Sequence, residues 1–212
     1  MGIADRKERE KAEKREHLIN AAEKVIFAKG YENATMDDIA QEAEYSRGAL
    51  YLYFKNKEQL YLAIANRSVD IFLKILTEEL PKGKNAVEKL QKLKDTYLRF
   101  FLEDPDHLKA MIKAFNSKTV IESLKQDEAT SREFNEKDMQ IQQMIGSVIM
   151  EGFQNGELDH LKNINLPEFL FAGKLVLLAI YNSIFSIEEL YKDQVHMESE
   201  KIIQAVYSLL KF

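Results

Sequence analysis

Apolar residues recur along most of the chain at intervals of three and four positions, which is the spacing of an amphipathic α-helix. Leu18, Ala22, Val25 and Ile26 form one such stripe, and the alternating apolar and polar runs that indicate strands are missing. Only three prolines and eight glycines interrupt the 212 residues. The pattern therefore predicts an all-α protein with about nine helices.

Capping signals locate the predicted helices. Thr35 and Asp38 have the spacing of a capping box, and Gly30 follows the first apolar stripe as a C-terminal cap. Pro81 and Pro105 mark a helix end and a helix start. The predicted helices span roughly residues 17–29, 35–43, 46–54, 57–80, 85–103, 105–116, a long stretch within 119–155, 167–185 and 198–211.

Two of these helices, 35–43 and 46–54, are short and are joined by a tight turn, which predicts a helix-turn-helix. In that motif the first turn of the second helix faces base edges in the major groove of DNA. Arg47 and Ala49 occupy that turn. Arginine can donate two hydrogen bonds to guanine, and an alanine methyl can contact the methyl of thymine. This pattern favours sequence-specific DNA binding.

Three neighbouring residues suit contacts with the DNA backbone. Gly48 has no side chain, so the main chain and the helix N-terminus can approach a phosphate closely. The hydroxyl of Tyr51, one turn further on, can reach a phosphate oxygen. Lys57 adds a positive charge in the first turn of the following helix. We therefore expect a mixture of base and phosphate contacts.

The run from Thr35 to Leu60, TMDDIAQEAEYSRGALYLYFKNKEQL, closely resembles the N-terminal domain of the TetR family of bacterial transcriptional regulators. The preceding segment 27–31, FAKGY, also matches the end of that domain's first helix, so about 45 residues carry the resemblance. The resemblance implies a dimeric DNA-binding regulator, most often a repressor, that is released by a small ligand held in a C-terminal domain. It also implies that Thr35 caps a helix and faces a phosphate. It implies that Ser46, Arg47 and Ala49 form the helix end that reads bases, and that Tyr51 and Lys57 contact the DNA backbone.

The chain departs from the family pattern in the turn of the motif. The family usually has glycine where this sequence has Glu44. A left-handed conformation at Glu44 would cost about 1 kcal/mol relative to glycine. Residues 1–60 also carry 11 basic against 12 acidic side chains, so DNA binding is expected to depend on specific contacts and on salt.

The N-terminal segment 1–16 is rich in both charges, with Arg6, Lys7, Arg9, Lys11, Lys14 and Arg15 among Asp5, Glu8, Glu10, Glu13 and Glu16. Two interpretations stay open. The segment is either a solvated, partly helical face with ion pairs four residues apart, or a basic arm that reaches DNA phosphates.

Aromatic, methionine and aliphatic side chains in the C-terminal half suit an adaptable apolar pocket, although helical residues at this spacing are usually ordinary core. With the family resemblance, they predict a hydrophobic or amphipathic effector, for which Tyr97 supplies a polar contact. The candidate lining residues are Tyr97, Phe101, Met111, Phe115, Met144 and Val148.

The last two predicted helices are more apolar than a monomer requires, which indicates a four-helix interface in a homodimer; burial within one chain is the alternative. The candidate interface residues are Leu175, Leu178, Ile202, Val206 and Leu209.

Composition supplies further expectations. The chain is 45% hydrophobic and 31% charged, with a net charge of −5 and no cysteine, as in an ordinary globular protein. Its four histidines are far apart and no nucleophile motif accompanies its paired carboxylates, so we expect no metal site, no cofactor and no enzymatic activity. The most apolar stretch, 166–185, is interrupted by Pro167, Glu168 and Lys174. It is too polar for a membrane span, and no secretory signal is visible, so a cytoplasmic location is expected.

These observations predict a helix-turn-helix domain over residues 1–60, a connecting fourth helix over 57–80, and a helical domain for ligand binding and dimerisation over 81–212. The expected function is a ligand-responsive transcriptional regulator, most often a repressor, that binds a palindromic double-stranded DNA operator. Two alternatives stay open: an all-α enzyme with an apolar pocket, and a ligand-independent regulator of the same fold.

Overall fold

The computed structural model describes residues 2–116, 122 and 128–161. The helices in these residues are α1 (Ile3–Lys29), α2 (Met36–Glu42), α3 (Arg47–Tyr51), α4 (Lys57–Glu79), α5 (Ala86–Glu103), α6 (Pro105–Asn116) and α7 (Glu128–Gln154), with 3-10 helices at Leu80–Lys82 and Asp159–Leu161. No strand occurs in the described ranges, and the all-α prediction is confirmed. The predicted helices 167–185 and 198–211 lie outside the described residues.

Helix α1 begins at Ile3, about fourteen residues before the start of the predicted apolar stripe. Its first turn is closed by the Asp5 carboxylate, which accepts a hydrogen bond from the Gly2 N–H at 3.0 Å. No proline or glycine interrupts residues 3–29, and ion pairs four residues apart stabilise the exposed part. The charge-rich N-terminal segment is therefore helical.

The described structure divides into two compact units. Within the described residues, the first comprises 2–71, 105–116, 122 and 128–138, and the second comprises 72–104 and 139–161. In the first unit, Leu18 of α1, Ile39 of α2 and Leu50 of α3 are completely buried. The short helices are thus anchored by their buried residues, Ile39 and Ala40 in α2 and Leu50 in α3. The domain boundary between residues 60 and 81 stays a prediction.

In the second unit, α5 packs against the end of α4 and against α7. The ring of Phe72 lies 4.4 Å from that of Tyr97 between centroids. Lys89 of α5 forms an ion pair with Glu151 of α7 at 2.6 Å. A Cβ at Gly152 would lie 2.6 Å from Leu158 side-chain atoms, so close packing requires glycine there. Among the described helices, none is both long and apolar enough to cross a membrane.

Candidate nucleic-acid interface

The N-terminus of α2 is fixed by a reciprocal cap. The Thr35 hydroxyl oxygen accepts the Asp38 N–H at 3.1 Å, and the Asp38 carboxylate accepts the Thr35 N–H at 3.1 Å. Asp38 also receives a hydrogen bond from the Lys29 ammonium at 2.7 Å. The Lys29 and Thr35 hydrogen bonds lower the pKa of Asp38 to about 2. The predicted capping box is therefore confirmed, and it also ties α2 to α1.

The turn between α2 and α3 contains the strained residue expected from the sequence. Glu44 has φ of 56°, the only positive φ at a non-glycine residue in the described part of the chain. Its N–H donates to the Gln41 carbonyl, and the Tyr45 N–H donates to the Ala40 carbonyl. The His17 Nε2–H of α1 donates to the Ala43 carbonyl at 3.0 Å. These bonds satisfy the end of α2 and hold the turn against α1.

Helix α3 presents an ordered first turn. The Ser46 hydroxyl accepts the Ala49 N–H at 3.2 Å and so caps the helix, as predicted. Leu50 is buried beneath it, whereas Arg47 and Gly48 are exposed. The helix ends at Tyr51, three residues earlier than expected. It ends there because the Leu50 carbonyl accepts the N–H groups of residues 53 and 54, which close a turn.

Arg47 is held by two neighbours in the free protein. Its Nε and Nη1 each lie 3.2 Å from a different oxygen of Asp37 in α2. Its guanidinium also lies 5.7 Å from the centroid of the Tyr51 ring. The hydrogen bond with Tyr51, and then the charge of Asp37, raise the pKa of Arg47. The predicted base reader is therefore positioned but engaged with a carboxylate that DNA would have to displace.

Gly48 requires no special backbone geometry within the chain. A Cβ at this position would meet no atom within 4 Å, and its φ is not positive. Glycine inside a helix nevertheless costs about 0.5–1 kcal/mol relative to alanine. Nothing in the described residues compensates this cost, which is the pattern expected where a partner's backbone approaches closely.

Lys57 occupies a position that the sequence did not indicate. Its ammonium donates to the carbonyls of Tyr31 at 2.6 Å, Ala34 at 2.9 Å and Glu32 at 3.3 Å. It also lies 4.4 Å from the centroid of the Tyr31 ring. The side chain thus binds the carbonyls of the loop that connects α1 to α2. In the free protein all three ammonium protons therefore already have acceptors. The predicted contact of Lys57 with DNA stays a prediction.

Within the first unit, helix α6 contacts α1, α4 and the loop that follows α1, through residues that the sequence did not indicate. Buried His107 places Nδ1 at 2.9 Å from the Ser68 hydroxyl oxygen of α4 and Nε2 at 3.6 Å from Glu23 of α1. The Lys113 ammonium bonds to Glu32 at 2.7 Å and lies 4.0 Å from the centroid of the Tyr31 ring. Because these partners are separated by up to 84 residues, no local pattern reveals them.

The candidate effector residues divide between the two units. In the second unit Val148 is buried, and Tyr97, Phe101 and Met144 are half-buried. In the first unit Met111 is buried, and Phe115 lies at the end of α6. The candidate dimer residues Leu175, Leu178, Ile202, Val206 and Leu209 lie outside the described residues. Both sets stay predictions.

Three comparisons with known proteins bear on this site. Residues 18–64 match the family described as bacterial regulatory proteins, tetR family. The chain is 26% identical over 167 residues to the fatty acid metabolism regulator protein of Bacillus subtilis, covering 79% of this chain and 82% of that protein.

The fold also resembles that of solved structures. The transcriptional regulator FadR from Bacillus subtilis in complex with stearoyl-CoA aligns with a TM-score of 0.60 at 19% identity, over 92% of this chain and 96% of that one. AibR in complex with isovaleryl coenzyme A and operator DNA aligns with a TM-score of 0.61 at 19% identity, over 93% and 97%.

The capped helices α2 and α3, with an exposed arginine and glycine in the first turn of α3, define a helix-turn-helix protein of the DNA-binding class. The match at residues 18–64 lies on this site. Residues 18–64 therefore form the N-terminal DNA-binding domain of the TetR family of bacterial transcriptional regulators, and the chain is a DNA-binding regulator of transcription.

Proposed function

We propose that this regulator is a homodimeric repressor that leaves a palindromic operator when it binds an acyl-coenzyme A. The first turn of α3 carries the proposal. There Ser46 caps the helix, Arg47 is exposed, and Gly48 leaves the backbone open. Such a turn can present side chains to base edges while the helix N-terminus faces a phosphate.

Five of the predicted DNA residues receive side-chain roles in this proposal. Arg47 reads a guanine, and the Ala49 methyl contacts a thymine. The hydroxyls of Thr35 and Ser46 each accept a main-chain N–H, which leaves a hydroxyl proton for a phosphate oxygen. Tyr51, with an exposed ring, contacts the backbone.

The effector class is inferred from relatives and from composition. FadR was crystallised with stearoyl-CoA and AibR with isovaleryl coenzyme A, and both share this fold. An acyl thioester is amphipathic, which agrees with apolar candidate residues accompanied by one polar group, the hydroxyl of Tyr97. We assign the acyl chain to the four candidate residues of the second unit, Tyr97, Phe101, Met144 and Val148.

Release follows from a shift between two states of the dimer. Half-sites lie about one helical turn apart, so a change in the spacing of the two α3 helices breaks their register on DNA. An effector that binds one state better changes DNA affinity by a coupling of about 1–3 kcal/mol. Helix α4 supplies residues to both compact units, which makes it the candidate lever. The dimer would form through the candidate interface residues Leu175, Leu178, Ile202, Val206 and Leu209. It would bind DNA in the cytoplasm.

The test uses a labelled duplex operator obtained by selection and measures anisotropy with the full chain. Stearoyl-CoA and isovaleryl-CoA are the probes, with coenzyme A alone and stearate as matched controls. We expect one acyl-CoA to raise the operator Kd at least tenfold while neither control does. Tight operator binding that no acyl-CoA changes would contradict the effector class and favour a ligand-independent regulator.

A further inference from the structure

Helix α1 extends well beyond the core of its unit. Residues 5–14 are all exposed, and from residue 5 onwards Leu18 is the first that is completely buried. At 1.5 Å per residue, these ten residues project by about 15 Å. A helix that long without a packing partner needs another reason for its sequence.

In the described residues, the two arginines at positions 6 and 9 of this projection form ion pairs, whereas its lysines do not. Arg6 pairs with Glu10 at 2.8 Å, and Arg9 with Glu13 at 3.9 Å. Three lysines, Lys7, Lys11 and Lys14, have no ion pair within the described residues. They are spaced four and three residues apart, which places them on one face of the helix. We call Lys7, Lys11 and Lys14 the lysine stripe.

The projection leaves the unit beside the DNA-reading motif. The Arg15 guanidinium lies 5.1 Å from the centroid of the Phe54 ring, which follows α3. His17 binds the Ala43 carbonyl at the turn between α2 and α3. Lys11 and Lys14 lie four and one residues before Arg15 in the helix. The lysine stripe therefore begins where α1 passes the end of the recognition helix.

We propose that the lysine stripe binds phosphates of the DNA that flanks each half-site. The proposal rests on the proposed function, because it adds a second contact surface to the same DNA complex. Lys7 and Lys14 are separated by about 10 Å along the helix, which spans about three nucleotides of one strand at 3.4 Å each. An α-helix is about 10–12 Å wide and the minor groove about 6 Å. The stripe thus contacts the backbone and reads no bases.

The net charge of the motif explains why such a contact is useful. Residues 1–60 carry one more acidic than basic side chain, so the motif as a whole does not attract DNA. Pairing removes Arg6 and Arg9 from the free cations and leaves the lysines segregated on one face. Segregation gives a locally positive surface on an acidic chain, and the local field governs the approach to phosphates.

The test compares two double variants of the full chain that remove the same charge from the same helix. Lys11→Gln/Lys14→Gln removes two members of the stripe, and Arg6→Gln/Arg9→Gln removes two paired residues from another face. Glutamine has nearly the helix propensity of lysine and arginine, and circular dichroism checks that helicity is kept. The operator carries ten extra base pairs on each side, and its affinity is measured between 50 and 200 mM salt.

Each phosphate contact contributes about 0.9 to the slope of log affinity against log salt concentration. We expect the lysine variant to lose about 1.8 from that slope, which reduces the salt effect between 50 and 200 mM about tenfold. The arginine variant keeps the wild-type slope. An unchanged slope in the lysine variant, or equal losses in both variants, overturns the lysine stripe while operator binding by wild type upholds the proposed function. Failure of wild type to bind any duplex overturns both.

Sedimentation of the same samples excludes another partner. If the lysine variant changes the oligomeric state and leaves the salt slope unchanged, the stripe contacts a second copy of the chain, and the proposal is wrong.

Discussion

Asp37 of α2 binds Arg47 of α3 through two nitrogen–oxygen distances of 3.2 Å, so the two helices that approach DNA are joined by an ion pair. Both side chains are more than 60% exposed, and pairs of this kind contribute little to stability. The pair matters because, in the proposed complex, it places a carboxylate beside the phosphates and bases that Arg47 contacts. Binding to DNA has to break the ion pair between Asp37 and Arg47. Non-specific DNA offers Arg47 few hydrogen bonds to replace it, whereas guanine offers two acceptors.

Asp37 therefore favours discrimination over affinity. We expect Asp37→Asn to bind a scrambled duplex about fivefold more tightly than wild type, with a smaller gain on the operator. The free energy of unfolding should change by less than about 0.5 kcal/mol, as for other exposed sites. Anisotropy titrations with both duplexes measure the ratio.

Glu42→Gln is the matched control for this prediction. It removes one charge from the same helix, and its ion-pair partner is Lys24 rather than Arg47. Equal gains in the two variants would show that only net charge matters and would refute the role of Asp37.

A substitution at Gly48 is expected to change folding stability and DNA affinity in opposite directions. Because an added Cβ meets no atom within 4 Å, Gly48→Ala should stabilise the protein by about 0.5–1 kcal/mol. The same methyl should lower operator affinity at least tenfold if the backbone approaches a phosphate. Chemical denaturation and anisotropy give the two numbers on one sample.

Gly152→Ala provides the contrast to Gly48→Ala. Its Cβ would lie 2.6 Å from Leu158 and 2.9 Å from Ala86. Overpacking of this kind costs about 1–3 kcal/mol, and the folded fraction should bind DNA as wild type does. A Gly48→Ala protein with undiminished operator affinity would contradict the close approach of DNA.

A substitution at Lys57 distinguishes a contribution to folding stability from a direct contact with DNA. Its ammonium binds three carbonyls, and a hydrogen bond to a charged group contributes about 1.5–3 kcal/mol net of the water bonds that it replaces. We expect Lys57→Met to lower the free energy of unfolding by about 2 kcal/mol. The salt slope of DNA binding by the folded variant should be unchanged. A slope that falls by about 1, with full stability, would instead identify Lys57 as a phosphate contact.

Asp38 makes stability depend on pH in acid. Its pKa is lowered to about 2 in the folded protein by Lys29 and Thr35, against about 3.9 in an unfolded chain. A lowered pKa favours the folded state above pH 4, and this contribution is lost as pH falls from 4 towards 2. We expect Asp38→Asn to unfold with a weaker pH dependence across this window. Urea denaturation at pH 6, 4 and 3 measures it, and an identical pH dependence in both proteins would refute the assignment.

Local features of the fold were predictable because their causes are local. The reciprocal cap of Thr35 and Asp38 and the Gly30 cap after α1 follow from interactions within four residues. The left-handed Glu44 was expected because the TetR family usually has glycine there. The start of α1 was harder, because an exposed helix stabilised by ion pairs carries no apolar stripe.

Contacts between distant residues were not predictable. The carbonyls that bind Lys57 are more than twenty residues away, and the Ser68 partner of His107 is 39 residues away. A single sequence gives no sign of such pairs. The counter-ion of Arg47 was missed for the same reason, since Asp37 lies ten residues earlier in the preceding helix.

The proposed function depends most on the recognition of a palindromic operator by Arg47. Purified wild-type protein and Arg47→Ala should each select duplexes from the same random pool at 100 mM salt. We predict that wild type enriches a palindrome whose half-sites lie about one helical turn apart, and that Arg47→Ala, folded to the same extent, enriches none. Enrichment of the same palindrome by both proteins, or by neither, would contradict the account.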